Sequence, residues 1–402
     1  MPDYQQLKKI CDTNSKETAD LLDGLMYYGG ERDKLDHKSI QQLPKYRHML
    51  KEFGNENMGH YTAQYIIHQI FKKKGYIHKY LTHSYCRNLK AEELVYLDFC
   101  AQNPWRYSFS VVKNQPAKEF FEMLDVFTGE SYLLYSPGAE VTLKEQPVIL
   151  WFNLICSNGH CYQSFGPIGA FAGFEPDDIL FYTSLLCPDQ WPLRQNQLVE
   201  YIEKNPLLYY FLIYGAKMPL TRHSSDQIIR NVAEYDCDEI NLQELGRDFI
   251  IDSKRNITRM QLKNWDGPPH FSTAYFDEKN KLLQLSAMTD RGFSHLIKTF
   301  NKFDYDLDLD PDYRVNFSMI STAAHILKMD LSENKYAKLF QTKASPKEQK
   351  GLDRLNYFIS LLVPIINEGG NPDIKSLAEK AEIDLKTAKE LAEHLMGKLG
   401  RL

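Results

Sequence analysis

Hydrophobic positions along the chain change their period twice, and each change marks a different kind of element. Over residues 1–106 the spacing is helical: within Met58–Lys73, Tyr61, Tyr65, Ile66 and Ile70 recur near one helical turn. Lys72-Lys73-Lys74-Gly75 then supplies a stop, because cations favour the negative end of a helix and Gly accepts a left-handed cap. From Tyr107 the period falls to two. Tyr107–Lys113, Glu119–Phe127, Ser131–Tyr135, Val148–Cys156 and Cys161–Phe165 are short, rich in β-branched and aromatic residues, and bounded by Gly, Pro and Asn. These five strands predict a small antiparallel β-barrel over residues 107–172.

Residues 173–345 read as mixed α/β. Ser224-Ser225-Asp226-Gln227 has the form of a capping box and predicts a helix through Tyr235. His270–Phe276, a turn at Asp277–Asn280 and Lys281–Met288 predict a hairpin, with a helix starting near Asp290. Helix resumes near Asn316 and runs to the end, broken at Lys343–Lys347 and at Gly369-Gly370-Asn371-Pro372. The fold class expected is α+β: a helical region 1–106, a five-stranded barrel 107–172, a mixed region 173–345 and a three-helix unit 346–402.

Composition narrows the class. Hydrophobic residues at 43% and charged residues at 25% are those of a globular chain, not a disordered one. The N-terminus MPDYQQLKK has no basic stretch followed by an apolar one. The longest apolar runs, Tyr209–Tyr214 and Phe358–Ile366, fall short of the ~20 residues that span a bilayer. The seven cysteines are scattered, with no C-x-x-C pair, as in a reducing compartment. A soluble, cytoplasmic protein with no membrane association is expected. Net charge is −5, without the basic excess that phosphate-backbone binding needs.

Candidate chemistry is sparse. Asn158-Gly159 suits a two-residue type I′ turn, which would set Cys156 opposite Cys161 on an apolar face and send His160 to the other. Buried, unreactive thiols are the leading reading, ahead of a redox pair or a metal site. Gly166–Gly173 follows a strand but lacks P-loop and dinucleotide spacing, and reads as a structural connection. Asp304, Asp306, Asp308, Asp310 and Asp312 alternate, yet an EF-hand would need Gly and Glu where Leu309 and Val315 stand. They read as an edge strand or a solvated loop. His60 and His68 lie two turns apart, ~12 Å at 1.5 Å per residue, too far to share an ion. His223 to Asp226 hold triad-type residues, but in sequence rather than in space, so helix capping is the expectation. No cofactor and no resident metal are expected, and no catalytic residue can be named.

Two resemblances add to this. LDVFTGESYLLYSPG, an apolar strand and FGPIG, within residues 108–170, resemble the small β-domain of bacterial proteins that end in a SEC-C zinc tail. The resemblance implies a barrel and no activity; the Cys-rich tail is missing from this sequence, so its metal site is not carried over. Residues 372–402 resemble a helix-turn-helix, with Ala378 at the small position, Ile383 in the turn, Asp384 as cap, and Ala388 and Leu391 facing inward. Glu382 stands where that motif takes glycine. Were the tail to read DNA, Lys386, Thr387 and Lys389 would make the contacts, against Glu390 and Glu393. The three-helix unit balances nine basic with nine acidic residues, so a packing or protein-contact module is favoured over a nucleic-acid reader. The function expected is that of a non-enzymatic adaptor or regulator binding a protein partner. The alternatives are an enzyme whose site assembles from distant residues and a DNA-binding regulator acting through the tail.

Overall fold

Asp3 opens the first helix by accepting the free N–H groups of Gln5 and Gln6, and Lys34 closes it in the left-handed conformation. A computed structural model describes residues 3–41, 43–83, 86–215, 221–331, 334–340, 346–367 and 370–398. The helical start comprises α1 (Tyr4–Asp33), α2 (Leu35–Ser39), α3 (Arg47–Phe71), α4 (Ile77–Tyr80) and α5 (Ala91–Gln102). Gly54, at φ +74°, kinks α3. The break read at Lys343–Lys347 and that at Gly369 lie partly outside the described residues.

The barrel follows as β1 (Arg106–Ala117), β2 (Phe120–Asp125), β3 (Ser131–Tyr135), α6 (Pro137–Glu145), β4 (Leu150–Ser157), β5 (Tyr162–Ser164) and β6 (Gly169–Phe171). Strand order is β1-β2-β3-β5-β4, closed by a β1–β4 pairing, with β6 beside the first half of β4. β3 and β5 pair in parallel, so the barrel is mixed rather than wholly antiparallel. The reason is parity: an odd ring of strands cannot alternate direction all the way round. Alternation along β1 and β4 sends Tyr107, Phe109, Phe152 and Leu154 outward and Ser108, Ser110, Trp151 and Asn153 inward.

The outward rings face α3 and the helices α7 (Pro176–Leu186), α8 (Gln195–Lys204) and α9 (Pro206–Gly215). Phe109 stacks on Phe152 with centroids 4.5 Å apart, and Tyr209 and Tyr210 of α9 close over them at 5.6 and 5.5 Å. Gly166–Gly173 is structural: Gln64 of α3 donates to the carbonyls of Phe165 and Pro167, and a Cβ on Gly166 would strike its side chain.

A second sheet follows. After the short pair β7 (Arg222–His223) and β8 (Asp226–Gln227) come β9 (Ile229–Asp236), α10 (Leu242–Leu245), β10 (Phe249–Lys254), β11 (Ile257–Leu262), β12 (Thr273–Asp277), β13 (Leu282–Ala287), α11 (Asp290–Asn301) and β14 (Tyr313–Asn316). Its order is β10-β11-β12-β13-β9-β14, and Phe293, Leu296, Ile297 and Phe300 of α11 cover one face. The predicted hairpin and the helix behind it are present, with Thr289 as its cap. The helix read over Ser224–Tyr235 is not. Ser224 sits at φ +55°, Asp226 ion-pairs with Arg291 instead of capping, and Ile229–Asp236 pairs with both β13 and β14. Sheet pairing overrides the local capping signal. The aspartate run is a connection, with Asp304 and Asp306 at positive φ and Tyr305 and Leu307 packed toward the sheet core.

Helix α12 (Phe317–Leu327) completes the compact unit Met1–Glu333. The second unit, Asn334–Leu402, holds α13 (Ala337–Phe340), α14 (Pro346–Asn367), α15 (Ile374–Ala381) and α16 (Leu385–Lys398), the last three around Phe358, Leu362, Leu377, Ala381 and Ala388. No described helix is long and apolar enough to cross a membrane.

The barrel–helix body and the second sheet meet through a buried carboxylate. Asp178 of α7 accepts from the Glu175 N–H, the Asn316 N–H and the Asn316 amide, while Arg314 joins Glu175 to Asp290. Burial outweighs these donors and lifts the Asp178 pKa to about 6. The folded state therefore holds a proton that the unfolded chain has lost between pH ~4 and ~6. Wild type should lose about 3 kcal/mol relative to Asp178→Asn as pH rises through that window. Paired denaturant titrations at pH 4 and pH 7 read this; a difference that stays flat or runs the other way contradicts it.

Candidate functional site

The turn between α2 and α3 builds an open groove. Leu43–Tyr46 forms a single 3₁₀ turn that buries the Tyr46 ring against Phe211 of α9, at 5.5 Å, and leaves Lys45 exposed above it. On one side lies a cavity of about 460 Å³, walled by Pro44, Lys45, Tyr46, Tyr201, Asn205 and Leu208. On the other lies one of about 200 Å³, reaching His48, Ile326, Lys328 and the exposed Met329. The two share Lys45, Tyr46 and Leu186.

Its electrostatics are one-sided. Lys45 and Lys328 rim the groove, and among the described residues no Asp or Glu lines either cavity. Exposed Arg47 and Lys51 follow Lys45 along the chain, and the nearby Glu52 carboxylate is engaged by His325 at 2.8 Å. His48 donates through Nε2 to the carbonyls of His325 and Ile326, at 3.2 and 3.0 Å, fixing its ring at the end of α12. Burial raises the Tyr201 pKa to about 12, so its hydroxyl stays a neutral donor. Sequence reading missed this groove because its walls come from four separate segments; the cation run Lys45–Lys51 was the available signal.

The thiols are arranged differently from expectation. Ser157 pairs with Tyr162 and Cys156 with Gln163, so Cys156 does not oppose Cys161. The Asn158 carboxamide oxygen accepts from the N–H groups of His160 and Cys161, which moves the tight turn one residue along to Gly159-His160. Cys161 instead meets Cys11 of α1, with Sγ atoms 3.4 Å apart. All seven cysteines are free, and those in the barrel are buried. Beside them, a cavity of about 210 Å³ is lined by Asn14, Ser15, Thr18, Tyr96, Cys156 and Gln163.

Among the described residues no group of three or more His, Cys, Asp or Glu side chains could hold a metal ion. His68 is buried and burial lowers its pKa, whereas His60 is exposed. His223 and Asp226 face each other across the β7–β8 pair, and Asp226 is occupied by Arg291. His270 Nδ1 shares a 2.7 Å hydrogen bond with Thr289 Oγ1, and Trp265 packs between His270 and His295.

In the tail, Thr387 donates to the Asp384 carboxylate, which caps α16, and Lys386 lies 3.9 Å from Glu390. Lys389 is exposed. Thr387 is thus engaged in capping, and Lys386 has a carboxylate beside it. No family model matches the chain, and neither the curated proteins nor the solved structures give a match. Glu382 ends α15 at φ +53°, the backbone conformation that glycine adopts freely, and pairs with Arg354 on the surface. Left-handed geometry costs a non-glycine residue roughly 1–2 kcal/mol, more than an exposed ion pair returns. Glu382→Gly should therefore slow hydrogen exchange across 374–398, a gain of about 0.5 kcal/mol. Faster exchange there would mean the side chain matters more than the backbone.

Proposed function

We propose that this is a cytoplasmic, non-enzymatic adaptor or regulatory protein that binds an acidic segment of a protein partner in the groove beside Leu43–Tyr46. The observation that carries the reading is the pairing of an apolar floor (Tyr46, Leu186, Leu208, Ile326) with the cationic rim of Lys45 and Lys328, with no carboxylate among the described lining residues. Apolar side chains seated there supply affinity, roughly 1.5–3 kcal/mol for each one fully buried. Rim charges add little each but speed encounter and exclude basic sequences. Binding of about micromolar strength suits an open groove of this kind. The charge balance of the three-helix unit and the engagement of Thr387 with Asp384 favour a protein partner over nucleic acid. Free thiols throughout suit a reducing compartment.

Fluorescent peptides of about ten residues that place Leu or Phe between Asp and Glu, compared with Lys/Arg counterparts, test the reading. The acidic set should bind, weaken as salt rises, and lose about tenfold against Lys45→Glu plus Lys328→Glu. Equal binding of both sets, or a variant that binds acidic peptides as well as wild type, overturns it.

A further inference from the structure

We propose that Cys11 and Cys161 form an oxidation site at which a hydroperoxide closes a reversible disulfide between α1 and the barrel. The two sulfurs lie 3.4 Å apart, inside the separation of a near-attack pair, although 150 positions separate them in sequence. Around them the seam between α1 and the barrel is polar. Gln163 donates to the Cys11 carbonyl at 3.1 Å and to Ser15 Oγ at 2.9 Å, and accepts from Asn14 at 3.0 Å. Lys8 donates to Tyr135 at 2.7 Å, and Tyr135 to Asp12 at 2.5 Å. Such contacts hold α1 in register while leaving it free of a covalent tie.

The pair is chemically unequal. Asn158 Nδ2 donates to Cys11 Sγ at 3.3 Å and reaches Cys161 Sγ at 3.7 Å. The hydrogen bond with Cys161 is the largest influence lowering the Cys11 pKa, while the same contact raises that of Cys161. Cys11 is therefore the thiol of the pair that gives up its proton more readily, and Cys161 the one that keeps it. Cys156, which lines the neighbouring cavity, is pushed up by burial and stays a thiol. Peroxide approaches from the side of the cavity that Gln163 helps to line, the same Gln163 whose amide holds the Cys11 carbonyl.

Atoms balance in two steps. The Cys11 thiolate attacks one peroxide oxygen, breaking the O–O bond to give Cys11 sulfenic acid and hydroxide. Cys161 gives its proton to that hydroxide, and its sulfur then displaces a second hydroxide from the Cys11 sulfur. That hydroxide leaves as water with the proton that Cys11 first released. Two thiols and one peroxide become one disulfide and two waters, and a dithiol reductant reverses the product.

The test treats the native full-length chain with hydrogen peroxide, then unfolds and alkylates it for intact-mass and peptide mapping. The expected product has two of the seven cysteines protected, in a single cross-linked peptide pair joining Cys11 to Cys161, released by dithiothreitol. The oxidised chain should melt higher than the reduced one. Cys156→Ser should keep the cross-link, and Cys161→Ser should leave Cys11 as a trappable sulfenic acid. Should the Cys161 variant fail to fold, the wild-type map decides alone. A bond from Cys156 to either partner, or no bond until the chain is denatured, overturns the proposal.

Discussion

The structure depends on two strands that are buried on both faces. Through β1 and β4, the barrel presents Tyr107, Phe109, Phe152 and Leu154 on its outer wall, and none of them tolerates water. A barrel of this size could be free-standing only with a polar exterior, so α3 and α9 must cover it. The same α9 places Phe211 behind Tyr46, which sets the floor of the groove. On another side of the barrel, Gln163 and the loop after β4 receive α1 and bring Cys161 to Cys11. Losing one seam ring, as in Phe152→Ala, would cost about 3–5 kcal/mol.

Apolar side chains occupy both faces of the barrel wall: Phe121, Met123, Tyr132, Leu134, Trp151 and Ile155 pack together on the inner side, beside a polar group. Ser108 donates to Asp125 at 2.7 Å, Tyr132 to Ser110 at 3.1 Å, and Arg106 neutralises Asp125 at 2.6 Å. Asn153 is buried there, and among the described residues neither of its amide atoms meets a hydrogen-bond partner. With buried apolar residues on both faces of β1 and β4, the sequence gives no clue to which face meets the helices.

Legibility followed the range of the interaction. The five barrel strands, the β12–β13 hairpin, the start of α11 and the three tail helices rest on local period, turns and caps, and all could be read from the chain. Where a distant partner decides, local reading failed. Ser224–Gln227 has a capping pattern, but Arg291 takes Asp226 and β13 recruits the following strand. Asn158-Gly159 has the residues of a two-residue turn, yet the Asn158 side chain accepts from the amides of His160 and Cys161 instead. Cys11 with Cys161, Asp178 with Asn316, and Lys45 with Lys328 each join segments over a hundred residues apart, and no spacing in one sequence predicts them.

If the doubly buried strands unite barrel and helices, the two should open together. Hydrogen exchange of the full-length chain, followed at rising denaturant, measures this for each segment. Amides of β1 and β4 near Phe109 and Phe152 should merge with those of α3 near Ile67 and α9 near Tyr210 into one unfolding event, with a common free energy and denaturant slope. Barrel amides that stay protected after α3 and α9 have exchanged would show a self-sufficient barrel and contradict the account.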